Sequence, residues 1–576
     1  MRDDYMPIRP EYLTLDDLMQ KRLFRIPNYQ RSYSWETKQR KDLFKDIEKL
    51  MNNRNQTRTH FMSMVVCLHT NEGTEIGTDK YTYVDIVDGQ QRLTTLIILL
   101  KALEKVLVSG SKIEKSEALK LRRLLVKDNK ELILLQTNHD SSSTFRNYII
   151  NGLIVNNDQI KTTADRNLVD AFSECQSFVE NWNKNYQLLD LLKLLKHRLD
   201  FVFYTLEDEG SVYSVFEVLN SRGLDVDWLD KCKSGLMGIV FEKGIGQSQI
   251  DELHKIWSNI YRIIGIKTIP GHEILRFAAT LMQDVIQSRP LGAEDAMDYF
   301  LTECRRKPSS AIQLSEWILA ITLKLNSLYE NKRLEAVTDI VQARLLAVAI
   351  FLAEQLSDQQ RTKALEEWEI VTFRIFGMFR KDARTKVGDY TRLARSIMKD
   401  KIRFKMIMTE LIELGADYPI EEAVKNLANI DCYNGWEKDL RYFMYRYEES
   451  NYENTISQDS WNIIWTHSPS TTIEHICPQA AKNNDLLGWR NKMGRSPEIV
   501  QHNINRLGNL LILPPSLNSK LSKKAFEEKK KIYKKNLTLN IVQEITSEPD
   551  WNQKRMIERE KKLLTWAEQA WADINS

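Results

Sequence analysis

The stretch that most constrains this chain runs from Tyr81 to Val108. An apolar run of β character, Tyr81 to Val87, reaches Asp88-Gly89 and passes straight into Leu93 to Val108, where apolar residues recur at the helical period. A strand, a tight turn and a helix in immediate succession make this a mixed α/β unit. Its neighbours agree. A short helix over Leu15 to Met19 capped by Thr14, an extended Leu23 to Pro27, an amphipathic helix over Thr37 to Met51, and strands at Phe61 to Leu68 and Leu199 to Leu206 are all predicted. A helix over Ser211 to Leu219 is predicted to stop at Asn220-Ser221-Arg222-Gly223.

Beyond residue 235 the pattern changes. Residues 236–455 read almost throughout at the helical period, as in Ala343 to Leu356, Lys363 to Phe379 and Tyr390 to Met398, without a repeat of fixed length. The last 120 or so residues change again. A β-like Ser470 to Ile476 leads through loops to an apolar Leu507 to Leu513, then to charged helices from Lys523 and from Trp551. The chain is therefore expected to be α+β and predominantly helical, with domains at 1–235, 236–455 and 456–576.

Composition excludes several classes. With 42% hydrophobic and 28% charged residues the 576-residue chain is globular rather than disordered or fibrous. No apolar run approaches the roughly 20 residues of a spanning helix. The six cysteines contain no Cys-x-x-Cys pair and the start of the chain is charged and polar, so reduced thiols in a cytoplasm are expected. A net charge of +3 rules out a uniformly basic nucleic-acid coat, yet charge is unevenly placed. Between Ala481 and Lys535 stand 13 Lys and Arg against four acids, a local net of +9, and the remainder is near −6. Such a stretch is the footprint of phosphate-backbone contact, or else a solvated helix face.

Two polar constellations carry chemistry. In Thr471-Thr472-Ile473-Glu474-His475-Ile476-Cys477-Pro478-Gln479 an acid and an imidazole are adjacent at the end of an apolar strand. Adjacent strand residues face opposite ways, so Glu474 and His475 can share a site only if the strand breaks or bulges, and Pro478 offers such a break. Downstream lie Asn505-Arg506-Leu507-Gly508-Asn509-Leu510 and Leu517-Asn518-Ser519-Lys520. Asparagine oxygens suit a hard cation such as Mg²⁺. His467 and His502 lack such neighbours, and Cys477 has no spaced partner for a zinc site.

The second constellation is Asp88-Gly89-Gln90-Gln91-Arg92-Leu93-Thr94-Thr95 at the strand–helix junction. Backbone N–H groups at a helix start bind anions, and Arg92 can grip phosphate with two parallel hydrogen bonds. Upstream, Ile26-Pro27-Asn28-Tyr29-Gln30-Arg31-Ser32-Tyr33-Ser34-Trp35 sets an arginine among aromatics that could stack on a base or pack. No P-loop sequence occurs.

These motifs carry a resemblance. Glu-His-Ile-x-Pro-Gln, Asn-x-x-Gly-Asn-Leu-x-x-Leu and Asn-x-Lys with a basic helix, over roughly Ser470 to Lys535, resemble the HNH-like (His-Me finger, ββα-metal) nuclease domain that ends GmrSD-type modification-dependent restriction enzymes. Ile-Pro-x-Tyr-Gln-Arg-x-Tyr-x-Trp with Asp-Gly-Gln-Gln-Arg-Leu-Thr-Thr-Leu, and Phe-x-x-x-Asn-x-Arg-Gly at Phe216 to Gly223, resemble the ParB/sulfiredoxin-like domain that begins them. One departure is Met62-Ser63, where the family pattern leads one to expect a glycine.

The resemblance implies His475 as the base that deprotonates water, Glu474 and Asn518 as ligands of one Mg²⁺ or Mn²⁺, Asn509 as the anchor of the histidine loop, and Arg506, Lys520, Lys523 and Lys524 on DNA. It further implies a nucleoside triphosphate lined by Gln30, Arg31, Asp88, Gly89, Gln90, Gln91, Arg92, Thr94, Asn220 and Arg222, with Asp88 and Arg92 in its hydrolysis. The function implied is a type IV endonuclease of phage defence that cuts modified double-stranded DNA, with no membrane partner and with a homo-oligomer left open. The alternative is a nucleotide-gated DNA-binding regulator with an inactive nuclease domain.

Overall fold

The structure, a computed structural model, describes residues 11–27, 30, 32–52, 59–127, 132–137, 142–154, 160, 162–206, 227–243, 247–264, 269–285, 288–337, 339–428, 430–451, 458–482, 486–494, 496–535 and 539–574. The helix expected over Ser211 to Leu219 lies outside these residues, as do Arg31, Asn220 and Arg222. The fold is α+β and predominantly helical. It comprises two compact units: Met1–Ala279 with Gly292–Leu323, and Thr280–Leu291 with Lys324–Ser576. Residues 236–455, expected as one helical segment, are divided between them.

The first unit is built on one mixed sheet. Its strands are β1 (Glu11–Thr14), β2 (Arg22–Ile26), β3 (His60–Ile76), β4 (Asp79–Asp88), β5 (Leu135–Thr137) and β6 (Leu199–Leu206), in the order β1-β6-β3-β4-β2-β5. β2 runs parallel to β4 and β5, and β3 parallel to β6, while β3–β4 and β1–β6 are antiparallel. Alternation separates the two faces. Val65, Cys67, Ile86, Phe201 and Phe203 join a large core shared with the helices Thr37–Asn52, Gln90–Leu107, Thr163–Asn185 and Leu188–His197, whereas Val66, Leu68, Val87 and Leu206 form a small cluster of their own. Helix Gln90–Leu107 is buried on nearly every side, as its almost unbroken apolar sequence requires. The expected helix Leu15–Met19 is present, and Thr14 and Asp17 close a capping box around its start.

Among its described residues the second unit is helical apart from one short hairpin. Two of its helices end in π turns, Phe373–Met378 after Asp358–Thr372 and Ser396–Asp400 after Val387–Arg395. These wider turns carry the helical period to where the sequence places the helix ends, near residues 379 and 398. Inside the unit Glu369, 1% exposed, accepts from Arg333 (2.8 Å), Arg446 (2.6 Å) and the Tyr442 hydroxyl (2.5 Å), so a buried carboxylate is matched by two guanidinium groups. The tail folds back on the same helix, where the Ile574 N–H donates to Glu367 (2.8 Å). All six cysteines are buried and free. Among the described residues no helix is long and apolar enough to cross a membrane.

Candidate functional site

The hairpin of the second unit pairs β7 (Ile473–His475) antiparallel with β8 (Leu510–Ile512), Glu474 opposite Leu511 and His475 opposite Leu510. β7 is shorter than the sequence pattern because Pro469 opens a helical turn over Pro469–Thr472. No bulge interrupts it. Past His475 the chain is clamped by Asn509. Its Oδ1 accepts from the Cys477 N–H (2.8 Å) and the Trp551 indole (3.2 Å), and its Nδ2 donates to Cys477 O (3.0 Å) and Ile504 O (2.8 Å). The Ile476 N–H donates to Asn509 O at 3.0 Å. With four side-chain hydrogen bonds and no exposure, Asn509 fixes the turn that follows the histidine.

Because β7 is regular, Glu474 and His475 project to opposite faces. His475 Nε2 lies 3.0 Å from Asn505 Oδ1, and its ring meets Tyr433 edge-on at 4.7 Å. Burial pushes its pKa down to about 4, against the Asn505 hydrogen bond, so the imidazole is neutral at physiological pH. Glu474 turns the other way, to the helix Phe526–Lys535, where it accepts from Lys529 (2.6 Å) and the Tyr533 hydroxyl (3.1 Å). Lys529, fully buried, also donates to His475 O at 2.8 Å. Burial raises the Glu474 carboxyl and lowers the Lys529 ammonium, and each offsets the other's shift.

The side chains of the expected metal pair are engaged by protein groups. Glu474 is sealed by Lys529 and Tyr533. Asn518 braces the helix Pro515–Leu521 across the hairpin, its Nδ2 donating to Thr471 O (3.0 Å) and Ile473 O (2.9 Å). Hard cations need several oxygen ligands converging on one point. As folded, these two residues do not fit a divalent cation, and among the described residues no group of three His, Cys, Asp or Glu could hold one. Of the residues expected on DNA, Lys520, Lys523 and Lys524 are exposed, whereas Arg506 is committed to the buried Glu560. Sequence reasoning assigned no role to Asn505, which holds the imidazole, and missed Asp431 and Tyr433 beside it. The Asp-x-x-Asn-Gly turn chemistry at 431–435 and the spacing of Asn505 from Asn509 were the only signals.

In the first unit, β4 ends at Asp88 and Gly89 turns the chain with φ +95° into the helix Gln90–Leu107. A side chain there would meet Met64 O at 3.1 Å, so the close backbone approach falls at Met64, just past a register shift between Phe61 and Ser63. The amides of the motif tie the upstream loop to this junction. Gln30 Nε2 donates to Val87 O (2.7 Å), Gln90 Nε2 to Gln30 Oε1 (3.1 Å) and Gln91 Nε2 to Ser32 O (3.1 Å), while Gln91 Oε1 accepts from the Ser34 N–H (2.8 Å). Arg92 lies over the Trp35 ring at 5.8 Å, and burial lowers its pKa although Asp88 and Asp46 work upward. Thr94 is buried. Gln90 Oε1 and Ser63 Oγ are buried with no hydrogen-bond partner among the described residues.

Residues 15–237 match the N-terminal domain of the GmrSD restriction endonuclease, and residues 419–566 match the C-terminal domain of the GmrSD restriction endonucleases. No curated protein matches the chain. A mixed-sheet unit at the start and a histidine-bearing hairpin near the end thus belong to a restriction endonuclease, a class of enzyme that cuts DNA. The chain belongs to the GmrSD family, type IV restriction enzymes of phage defence. Membership suggests a divalent-metal requirement.

Proposed function

We propose that this chain cuts modified phage DNA at the His475 hairpin and that its amino-terminal unit binds and hydrolyses a nucleoside triphosphate that governs the cut. The observation that carries the nuclease half is His475, neutral and fixed through one ring nitrogen on a hairpin clamped by Asn509. A neutral imidazole can take the proton of an attacking water, which a charged one cannot. Lys520, Lys523 and Lys524, exposed on the basic stretch that follows, suit phosphate oxygens. Glu474 enters this reading as a brace beneath the hairpin and not as a ligand. For the nucleotide half, support comes from the helix start after Gly89, Arg92 stacked on Trp35, and the two orphaned polar atoms of Gln90 and Ser63. Arg31, Asn220 and Arg222 complete the proposed nucleotide set, with Asp88 positioning water.

The test is cleavage by purified protein with Mg²⁺ or Mn²⁺, with and without each triphosphate, on matched modified and unmodified phage DNA. H475A should cut more slowly by roughly 10²–10⁴-fold, the contribution of a positioned base, while binding DNA as before. Undiminished cutting by H475A refutes the site. Cutting that ignores both triphosphate and modification refutes the coupling.

A further inference from the structure

The imidazole of His475 is held by a chain of side chains that begins outside the hairpin. Asp431 lies in the segment before helix Glu437–Asn451, and its Oδ1 accepts from the Tyr433 and Asn434 N–H groups, both at 2.9 Å. Its Oδ2 accepts from Asn434 Nδ2 (2.8 Å) and from Asn505 Nδ2 (2.8 Å). The backbone reinforces this grip, with the Cys432 N–H donating to Asn505 O at 2.9 Å and Arg380 donating to Asp431 O at 2.6 Å. An ionised carboxylate only accepts hydrogen bonds. Flipping the Asn505 amide would set its oxygen against the carboxylate, acceptor to acceptor, so Asn505 Oδ1 must face His475 Nε2 at 3.0 Å. An amide oxygen also only accepts. The proton of the neutral ring therefore sits on Nε2, and the lone pair is on Nδ1.

We propose that Asp431 is a positioning residue of the nuclease, acting through Asn505 to fix the Nε2–H tautomer of His475 and so present Nδ1 to the attacking water. The catalytic part of this inference rests on His475 being the base; the tautomer part does not.

Two substitutions invert and then restore the relay. In D431N the new amide oxygen is needed by the two backbone N–H groups, so its nitrogen faces Asn505 and donates. The amides of Asn434 and Asn505, both donors to the carboxylate in the parent, then flip so that their oxygens accept from the new amide; the Asn505 nitrogen donates to Nε2, and the ring proton moves to Nδ1. In the double variant D431N/N505D the new carboxylate accepts both from the new amide and from Nε2–H, and the original tautomer returns.

The experiment uses the full chain with ¹⁵N-labelled histidine and reads the His475 tautomer by long-range ¹H–¹⁵N correlation, with the signal assigned by its loss in H475Q. DNA cleavage is measured in parallel. Expected are Nε2–H in the parent, Nδ1–H in D431N with kcat lower by roughly 10²–10⁴-fold at unchanged KM, and recovery of both readouts in the double variant. An unchanged Nε2–H signal in D431N overturns the relay. An inverted tautomer with unchanged kcat overturns its catalytic role. If H475A itself cuts normally, the base assignment fails while the tautomer result still decides the relay.

Discussion

At residue scale the pair Glu474-His475 shows how adjacency in sequence misleads. Side by side in the chain, they read as one acid–imidazole site, and only a break in the strand would make them one. The pleat of β7 is unbroken, so His475 faces Asn505 while Glu474 faces a lysine 55 positions away in sequence. Lys529 is fully buried and Glu474 is 5% exposed, so each charge depends on the other. K529M should therefore cost about 3–5 kcal/mol, the range for leaving one partner of a buried pair uncompensated, and E474Q/K529M should recover most of that loss. Urea unfolding of the three proteins measures it; a K529M midpoint equal to the parent would mean that Glu474 is solvated. The partners of Glu474 were not legible because no local pattern distinguishes Lys529 from the surface lysines around it.

At the scale of elements, local rules served best where strand, turn and helix are contiguous. The junction of β4 with helix Gln90–Leu107 was legible because Asp-Gly is a turn signal and the apolar period changes across it. Gly89 is needed there for two reasons, φ +95° and the Met64 carbonyl 3.1 Å from where a Cβ would stand. G89A should lower the stability of the first unit by about 1–3 kcal/mol and displace Gln90, Gln91 and Arg92. Denaturant titration gives the first effect, and hydrogen exchange at the start of the helix gives the second; parent-like protection there would show that the turn tolerates a side chain. The π turns and the shortness of β7 were hidden from periodicity, since helix width and strand length depend on what packs alongside. Motif resemblance alone points Gln30 and Gln91 at a ligand, whereas in the fold these amides hold the loop to the junction.

For the molecule as a whole, the formal net charge of +3 conceals its distribution, and counting along the chain overstates the basic surface. Cations of the +9 stretch find acids outside it: Lys529 pairs with Glu474, Arg506 with Glu560, and Lys492 with Asp550 at 2.5 Å. Lys520, Lys523 and Lys524 remain exposed. K523A/K524A should weaken DNA binding and reduce the slope of log K against log salt by about one for each lysine that meets a phosphate. R506A should leave the slope unchanged while destabilising the fold, because Glu560 is then buried alone. Fluorescence anisotropy across a salt series separates the two, and an unchanged slope in K523A/K524A would remove those lysines from the interface. The sequence by itself determined the class of fold, α+β and predominantly helical, and the family, because periodicity and motif order are written along the chain. Tertiary structure alone decided which face each polar residue takes: that Glu474 braces while His475 stays with Asn505, that Arg506 is spent on Glu560, and that Asp431 reaches the site. Those outcomes depend on burial and on partners tens of residues away, where an unpaired charge or hydrogen-bonding group is costly and the packing dictates which partner relieves it.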